Sequence, residues 1–304
     1  MSRTMLALLI AALLAMPVPA QQPNPFERLK SRIDLITRSI NASWGIYIKS
    51  LDTGEEISIN ADAQMDTMSV IKIPLMVEAY RQAAEGKFKM SDTHVLKETE
   101  KRPGTGILQR WAEGTSMSWE DIVDLMIIVS DNTATDLVFE RVGGPEPVNR
   151  LMDSFGCDKI RATGLASDWF KALAEQKDRT VFHREAKHPF GLATPRQMGL
   201  LLEKIARGEA VGKEESRKML AHMRGQLYAT RIPRYLALTS FPTRQPHKTG
   251  DFLPYIGNDV GLLEGNGKQV VVSIFTANHF GMGMMLEQAI GQITEQAANY
   301  FGNR

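Results

Sequence analysis

Strand-like alternation is confined to the two ends of this chain, and that placement limits what it can fold into. Trp44 to Leu51 and Glu56 to Asn60 alternate near the start, joined by the turn Asp52-Thr53-Gly54. Gln245 to Phe252, Tyr255 to Leu263 and Gln269 to Asn278 alternate near the end, with Asn266-Gly267 as a hairpin turn. From Ser69 to about Gly208 the pattern is mainly helical. Strands need partners for their backbone N–H and C=O groups. The early and late strands are therefore expected to pair in one antiparallel sheet, leaving the stretch between them as an inserted all-helical lobe. Helices over Phe26 to Ile40 and Met284 to Phe301 are expected to flank the sheet. The fold class read from this order is α/β of the α+β kind, a single domain over 21–304. Its α/β lobe covers about 26–65 and 210–304, and its helical lobe about 66–209.

Within the helical stretch, Ile71 to Ala84 reads as one helix. Ser118 is an N-cap followed by Glu120 and Asp121, with Ile122, Leu125, Met126 and Val129 at helical spacing. Asn132 to Arg141 is expected to form the next helix, closed by Gly143-Gly144, and Pro147 to Phe155 a short one. Residues 156–190 are polar and poorly periodic and read as a long surface loop. Thr194-Pro195 opens a helix to about Arg207, and Glu214 to Leu227 reads as helical too.

Residues 1–20 read as a secretory signal. Arg3 supplies a positive start, Met5 to Ala15 an apolar core of eleven residues, and Val18-Pro19-Ala20 a small-residue cleavage site. That core is too short to span a bilayer. Periplasmic or secreted localisation follows as an expectation. The formal charge is +1, and removal of residues 1–20 with Arg3 brings it to zero. A neutral chain offers no electrostatic footprint for nucleic acid or for anionic membranes. Cys157 is the single cysteine, so no internal disulfide is possible. It sits in a Gly156-Cys157-Asp158 turn without a clear base and reads as a packed small residue.

Three short motifs carry the chemistry: Ser69-Val70-Ile71-Lys72, Ser130-Asp131-Asn132 and Lys248-Thr249-Gly250. On a helix, i and i+3 share a face, so Lys72 can stand beside Ser69. A serine hydroxyl becomes a competent nucleophile when a neighbour takes its proton, and a desolvated lysine can do so. The second motif adds a hydroxyl and an amide, the third a cation on a strand edge. No residue pattern requires a metal or an organic cofactor. His183, Glu185 and His188 do not match a zinc spacing.

With their order and the elements that carry them, these motifs resemble the class A β-lactamase and penicillin-recognising serine hydrolase family. The likeness includes Gly104-Thr105-Gly106-Ile107-Leu108, the run from Leu125 to Asp136, Ala193-Thr194-Pro195-Arg196 and His247-Lys248-Thr249-Gly250. It covers about residues 26–302. The resemblance implies a β-lactamase/transpeptidase-like fold with the cleft between its two lobes. It also implies that Ser69 is acylated, that Lys72 shares in activating it, and that Ser130 passes a proton to the leaving nitrogen. Asn132 would bind the substrate's side-chain amide, and Lys248 and Thr249 its carboxylate. The N–H groups of Ser69 and Asp251 would form the oxyanion hole, and Asp131 would hold the loop together. The implied partner is a small β-lactam or a peptidoglycan-peptide-like molecule, met by a monomer without stable membrane insertion.

Two departures stand out. The family's Glu-x-x-Leu-Asn, which holds the hydrolytic water, is missing between Gly156 and Pro195. Asp168, Glu175, Asp178 and Glu185 are the candidate substitutes, with Asp168 nearest the expected position. A chain without a deacylation base would be a penicillin-binding D-Ala-D-Ala peptidase or other acyl-transfer enzyme. The second departure is Asp251, a charge where the family has a small neutral residue. Arg231, Arg234 and Arg244 are candidates for an added carboxylate contact. Trp111 reads as core of the helical lobe.

Overall fold

The computed structural model describes residues 24–175 and 189–303. Residues 1–20, Asp178, His183, Glu185 and His188 lie outside the described residues. In chain order the elements are α1 (Pro25–Ser39), β1 (Ser43–Ser50), β2 (Glu56–Ile59), β3 (Met65–Asp66), α2 (Lys72–Ala84), β4 (Thr93–Val95) and β5 (Ser116–Ser118). Next come α3 (Trp119–Ile128), α4 (Asn132–Val142), α5 (Pro145–Ser154), β6 (Arg161–Ala162), α6 (Ala166–Glu175), β7 (Gly191–Ala193), α7 (Pro195–Arg207) and α8 (Lys213–Arg224). The chain ends with β8 (His247–Phe252), β9 (Ile256–Gly265), β10 (Lys268–Ala277) and α9 (Gly283–Gly302). Short 3-10 turns cover Met68–Ile71 and Ile232–Leu238.

The main sheet has the order β2-β1-β10-β9-β8, all antiparallel. The early strands join the late ones through β1 and β10, in a register that sets Ile46 opposite Ile274. Side chains alternate faces along a strand, and both faces here are covered. Ile46, Ile48, Val270, Val272 and Ile274 pack with α1 and α9. Tyr47, Val271 and Phe275 face the larger core, which continues into the helical lobe. Each such buried side chain contributes roughly 1.5–3 kcal/mol. This two-sided burial leaves β8 at the sheet edge beside the helical lobe, where its third motif meets the other two.

The helical lobe follows the local signals closely. Ser118 accepts from Asp121 N at 3.1 Å while Asp121 accepts from Ser118 N at 3.0 Å, a reciprocal cap. Gly143 closes α4 in the left-handed region with φ 93°. Helix α8 joins this lobe through His222, which meets Asp124 at 2.6 Å and Tyr80 at 2.7 Å. Cys157 is buried, and burial pushes its thiol up to about 11. It is inert packing. Trp111 packs against the same core.

The long loop expected over 156–190 contains a helix. Helix α6 buries Ala166 and Trp169 and packs Phe170 and Leu173 against the core. These positions follow i, i+3, i+4 and i+7. Ten residues of periodicity are diluted when a 35-residue window is read whole. Asp136, itself buried, fixes the helix start by accepting from Ala166 N at 2.6 Å and Ser167 N at 3.1 Å.

Candidate active site

Ser69 sits in the 3-10 turn just before α2, and that turn is held from the sheet side. Asn258 Nδ2 on β9 donates to Asp66 O at 2.9 Å and Thr67 O at 3.1 Å. Gly250 on β8 lies so close that a Cβ there would stand 3.0 Å from Ser69 N and 2.8 Å from Val70 N. Only glycine lets the strand edge approach the nucleophile turn this tightly. The N–H groups of Ser69 and Asp251 are thereby brought to neighbouring edges of one cleft, which both residues line.

The second motif is held in strain. Ser130 has φ 55°, a conformation that costs energy and survives only where its surroundings fix it. Its carbonyl accepts from Thr105 Oγ1 at 2.7 Å and from Lys72 Nζ at 2.8 Å. Asp131 points away from the cleft and binds the chain instead. It accepts from Ile107 N at 2.6 Å, Leu108 N at 2.8 Å and Ala134 N at 3.0 Å. The loop that delivers Thr105 depends on Asp131, which agrees with the holding role expected for it.

Lys72 and Lys248 converge on one hydroxyl. Lys72 Nζ lies 3.0 Å from Ser130 Oγ and 3.0 Å from Asn132 Oδ1. Lys248 Nζ lies 3.1 Å from Ser130 Oγ and 2.8 Å from Thr249 O. Both lysines are fully buried. Burial first, and then the neighbouring Lys248 charge, holds the Lys72 amine well below its ordinary value. Burial also pushes Lys248 down to about 7, against the pull of Asp251 and Asp259. A neutral Lys72 has two N–H donors and one lone pair. Two acceptor oxygens take the donors, and Ser130 Oγ–H can meet the lone pair. Among the described residues, these bonds link Lys72 to Ser130 and Asn132, and Ser69 shares the cleft with them.

The cleft holds about 450 Å³. Ser69, Ser130, Asn132, Thr249 and Asp251 line it. Lys72 and Lys248 form its floor through Ser130. The facing wall is apolar: Ala166, Trp169 and Phe170 from α6, with Phe190 and Phe252. Trp169 meets Phe170 and Phe252 at ring distances of 5.2 and 5.5 Å. The spacing of Ala166, Trp169 and Phe170 is that of the first, fourth and fifth positions in Glu-x-x-Leu-Asn. On this face α6 carries a methyl and a phenyl ring and no carboxylate.

Asp168 does not line this cleft. It is exposed, accepts from Leu165 N at 3.0 Å, and faces a separate hollow with Thr163 and Pro189. Glu175 is exposed at the far end of α6. Among the described residues, the carboxylates that do line the cleft are Asp251 and Glu287. Of the three arginine candidates, only Arg231 lines it, and it is buried. Arg234 donates to Tyr235 Oη and Arg244 is exposed. Thr105 lies in the Gly104 to Leu108 segment of the resemblance, whereas Asn258, Glu287 and the α6 wall carried no motif of their own. The i, i+3, i+4 spacing on α6 was the one local signal available.

Among the described residues, no group of His, Cys, Asp and Glu is arranged to hold a metal ion, and no helix is long and apolar enough to cross a membrane. The profile of the Beta-lactamase enzyme family matches residues 28–301. The chain is 21% identical over 295 residues to the β-lactamase VEB-1 of Pseudomonas aeruginosa, covering 91% of this chain and 92% of that one. The β-lactamase structure from Sphaerobacter thermophilus superposes with a TM-score of 0.77 at 29% identity, covering 91% and 97% of the two chains. The structure of PBP-A shares the fold with a TM-score of 0.77 at 22% identity, covering 95% and 100%. A match running through both lobes and all three motifs places this chain in the β-lactamase enzyme family.

Proposed function

We propose that this chain is an exported serine hydrolase of the class A type, which opens β-lactam rings through an acyl-enzyme on Ser69. The observation that carries the reading is the Ser130 hydroxyl, held between the Lys72 and Lys248 amines at 3.0 and 3.1 Å. Ser69 Oγ attacks the lactam carbonyl carbon, and its proton passes to the Lys72 amine. The carbonyl oxygen, now anionic, takes the N–H groups of Ser69 and Asp251. The C–N bond breaks as Ser130 gives its proton to the leaving nitrogen, and Lys72 restores the Ser130 proton. The net transfer is one proton from Ser69 to the lactam nitrogen and one new ester bond. Water then cleaves that ester and returns Ser69. The residues present complete the acylation chemistry without a cofactor. The signal-like residues 1–20 support export to the periplasm or medium, and the enzyme acts as a monomer.

A second reading has its own support in the α6 wall. On this reading, with Ala166 and Phe170 beside the serine cleft, water activation would be weak and the acyl-enzyme long-lived. The chain would then be a penicillin-binding D-Ala-D-Ala peptidase or related acyl-transfer enzyme. Mature protein mixed with a penicillin and a chromogenic cephalosporin separates the two by intact mass and turnover. Sustained colour without a lasting adduct gives the hydrolase. A stoichiometric burst with a stable adduct on Ser69 gives the acyl-transfer enzyme. Absence of both, or an adduct that survives Ser69→Ala, sinks the nucleophile assignment.

A further inference from the structure

The end of the cleft beside β8 holds a cation between two anions. Arg231 is 2% exposed, and its Nη1 is fixed by the carbonyl of Asn258 at 2.9 Å. Its Nη2 lies 3.2 Å from Asp251 Oδ2 and 3.4 Å from Glu287 Oε1. Glu287 is itself fixed, because Thr230 Oγ1 donates to the same Oε1 at 2.7 Å. The Asp251 side chain is 40% exposed at the cleft surface. Arg231, Asp251 and Glu287 together therefore carry one positive and two negative charges. Among the described residues, the Lys248 amine also lies near this end, bonded to Ser130 Oγ and Thr249 O.

We propose that Asp251 is a specificity-determining residue: as counter-ion of Arg231 it withdraws the guanidinium from carboxylate recognition, so that the acyl donors favoured at Ser69 are neutral at the leaving-group end. A donor bearing a carboxylate there meets Arg231 only by displacing Asp251, and then faces the Glu287 charge as well. Like charges brought together in a confined cleft are costly. Arg231 cannot swing out to meet an anion, since its backbone bond and burial hold it in place. A neutral ester, amide or lactam pays none of this. The proposal rests on Ser69 being the acylated nucleophile and names the substrate class of that same site.

The test uses one cephalosporin as its free acid and as its methyl ester, with acylation followed by stopped-flow absorbance and intact mass. Wild type is expected to acylate with the ester at least as fast as with the acid. Asp251→Asn is expected to raise the acid-to-ester ratio of kcat/KM by roughly tenfold. Glu287→Gln should produce a smaller rise of the same sign, and Asp251→Ser repeats the result with a residue that keeps no amide. A merely structural role would move acid and ester together. If acylation occurs but Asp251→Asn and Asp251→Ser both leave the acid-to-ester ratio unchanged or lower it, the assignment falls and the acyl-enzyme reading stands. If neither form ever acylates Ser69, the acyl-enzyme reading falls and takes the assignment with it.

Discussion

On one side of the cleft, Ser130 Oγ lies within hydrogen-bond distance of two buried amines, and its strained backbone is held by Thr105 and Lys72. On the other side, α6 presents Ala166, Trp169 and Phe170. The first wall brings two amines to one hydroxyl. The second is apolar. The two halves of an acyl-enzyme cycle make different demands, because bond opening needs a proton relay and ester hydrolysis needs an activated water. A chain can retain the first while replacing the second, since different elements build them. The relay comes from α2, the α3–α4 junction and β8. The apolar wall comes from α6, tied down through Asp136.

The largest expected effect breaks the relay. Lys72→Ala removes the amine proposed to take the Ser69 proton and should lower the acylation rate by about 10³-fold or more, measured by stopped-flow burst kinetics. A change under tenfold would take Lys72 out of the reaction. The complementary change works on the other wall. Ala166→Glu combined with Phe170→Asn should speed deacylation by about 10²-fold, read as loss of adduct mass over time, with the acylation rate held within about fivefold. An unchanged adduct lifetime would show that α6 does not face the ester carbonyl.

A smaller effect comes from pH. Burial holds Lys248 at about 7, so it loses its charge as pH rises through that value. KM for a carboxylate-bearing substrate should rise about tenfold between pH 6 and 8, while a neutral ester stays flat. The unfolded chain keeps this lysine protonated to about 10.5. Between about 7 and 10.5 the unfolded state therefore binds more protons, and the contribution of Lys248 to stability rises with pH across that window. The smallest effect belongs to the core beneath both walls. Ile274→Val should cost about 0.5–1.5 kcal/mol in chemical denaturation and leave the rate ratio of the two steps untouched.

The sheet, its flanking helices and the three-motif relay were legible before any coordinates. Ser118, Gly143 and Asn266-Gly267 act through neighbours a few residues away, so local pattern suffices to place them. The α6 side of the cleft was not legible, for the opposite reason. Asp168 lies near the expected position in sequence, yet it is exposed and faces another hollow, whereas Ala166 and Phe170 line the cleft that Ser69 also lines. Which side of a short helix faces a cleft depends on what it docks against. Here that is the Asp136 carboxylate and the aromatic cluster around Trp169.

The sequence by itself determined the element order, the pairing of distant strands and the three motifs that single out Ser69, Ser130 and Lys248, because alternation, capping and the Ser-x-x-Lys spacing are properties of contiguous residues. Only the tertiary structure decided that the cleft is apolar on its α6 side and that Arg231 is tied to Asp251 and Glu287. Those three residues are separated by 20 and 36 positions, and charge compensation depends on distance in space. Burial decided the rest, since desolvation by the whole fold holds Lys72 and Lys248 below their ordinary values.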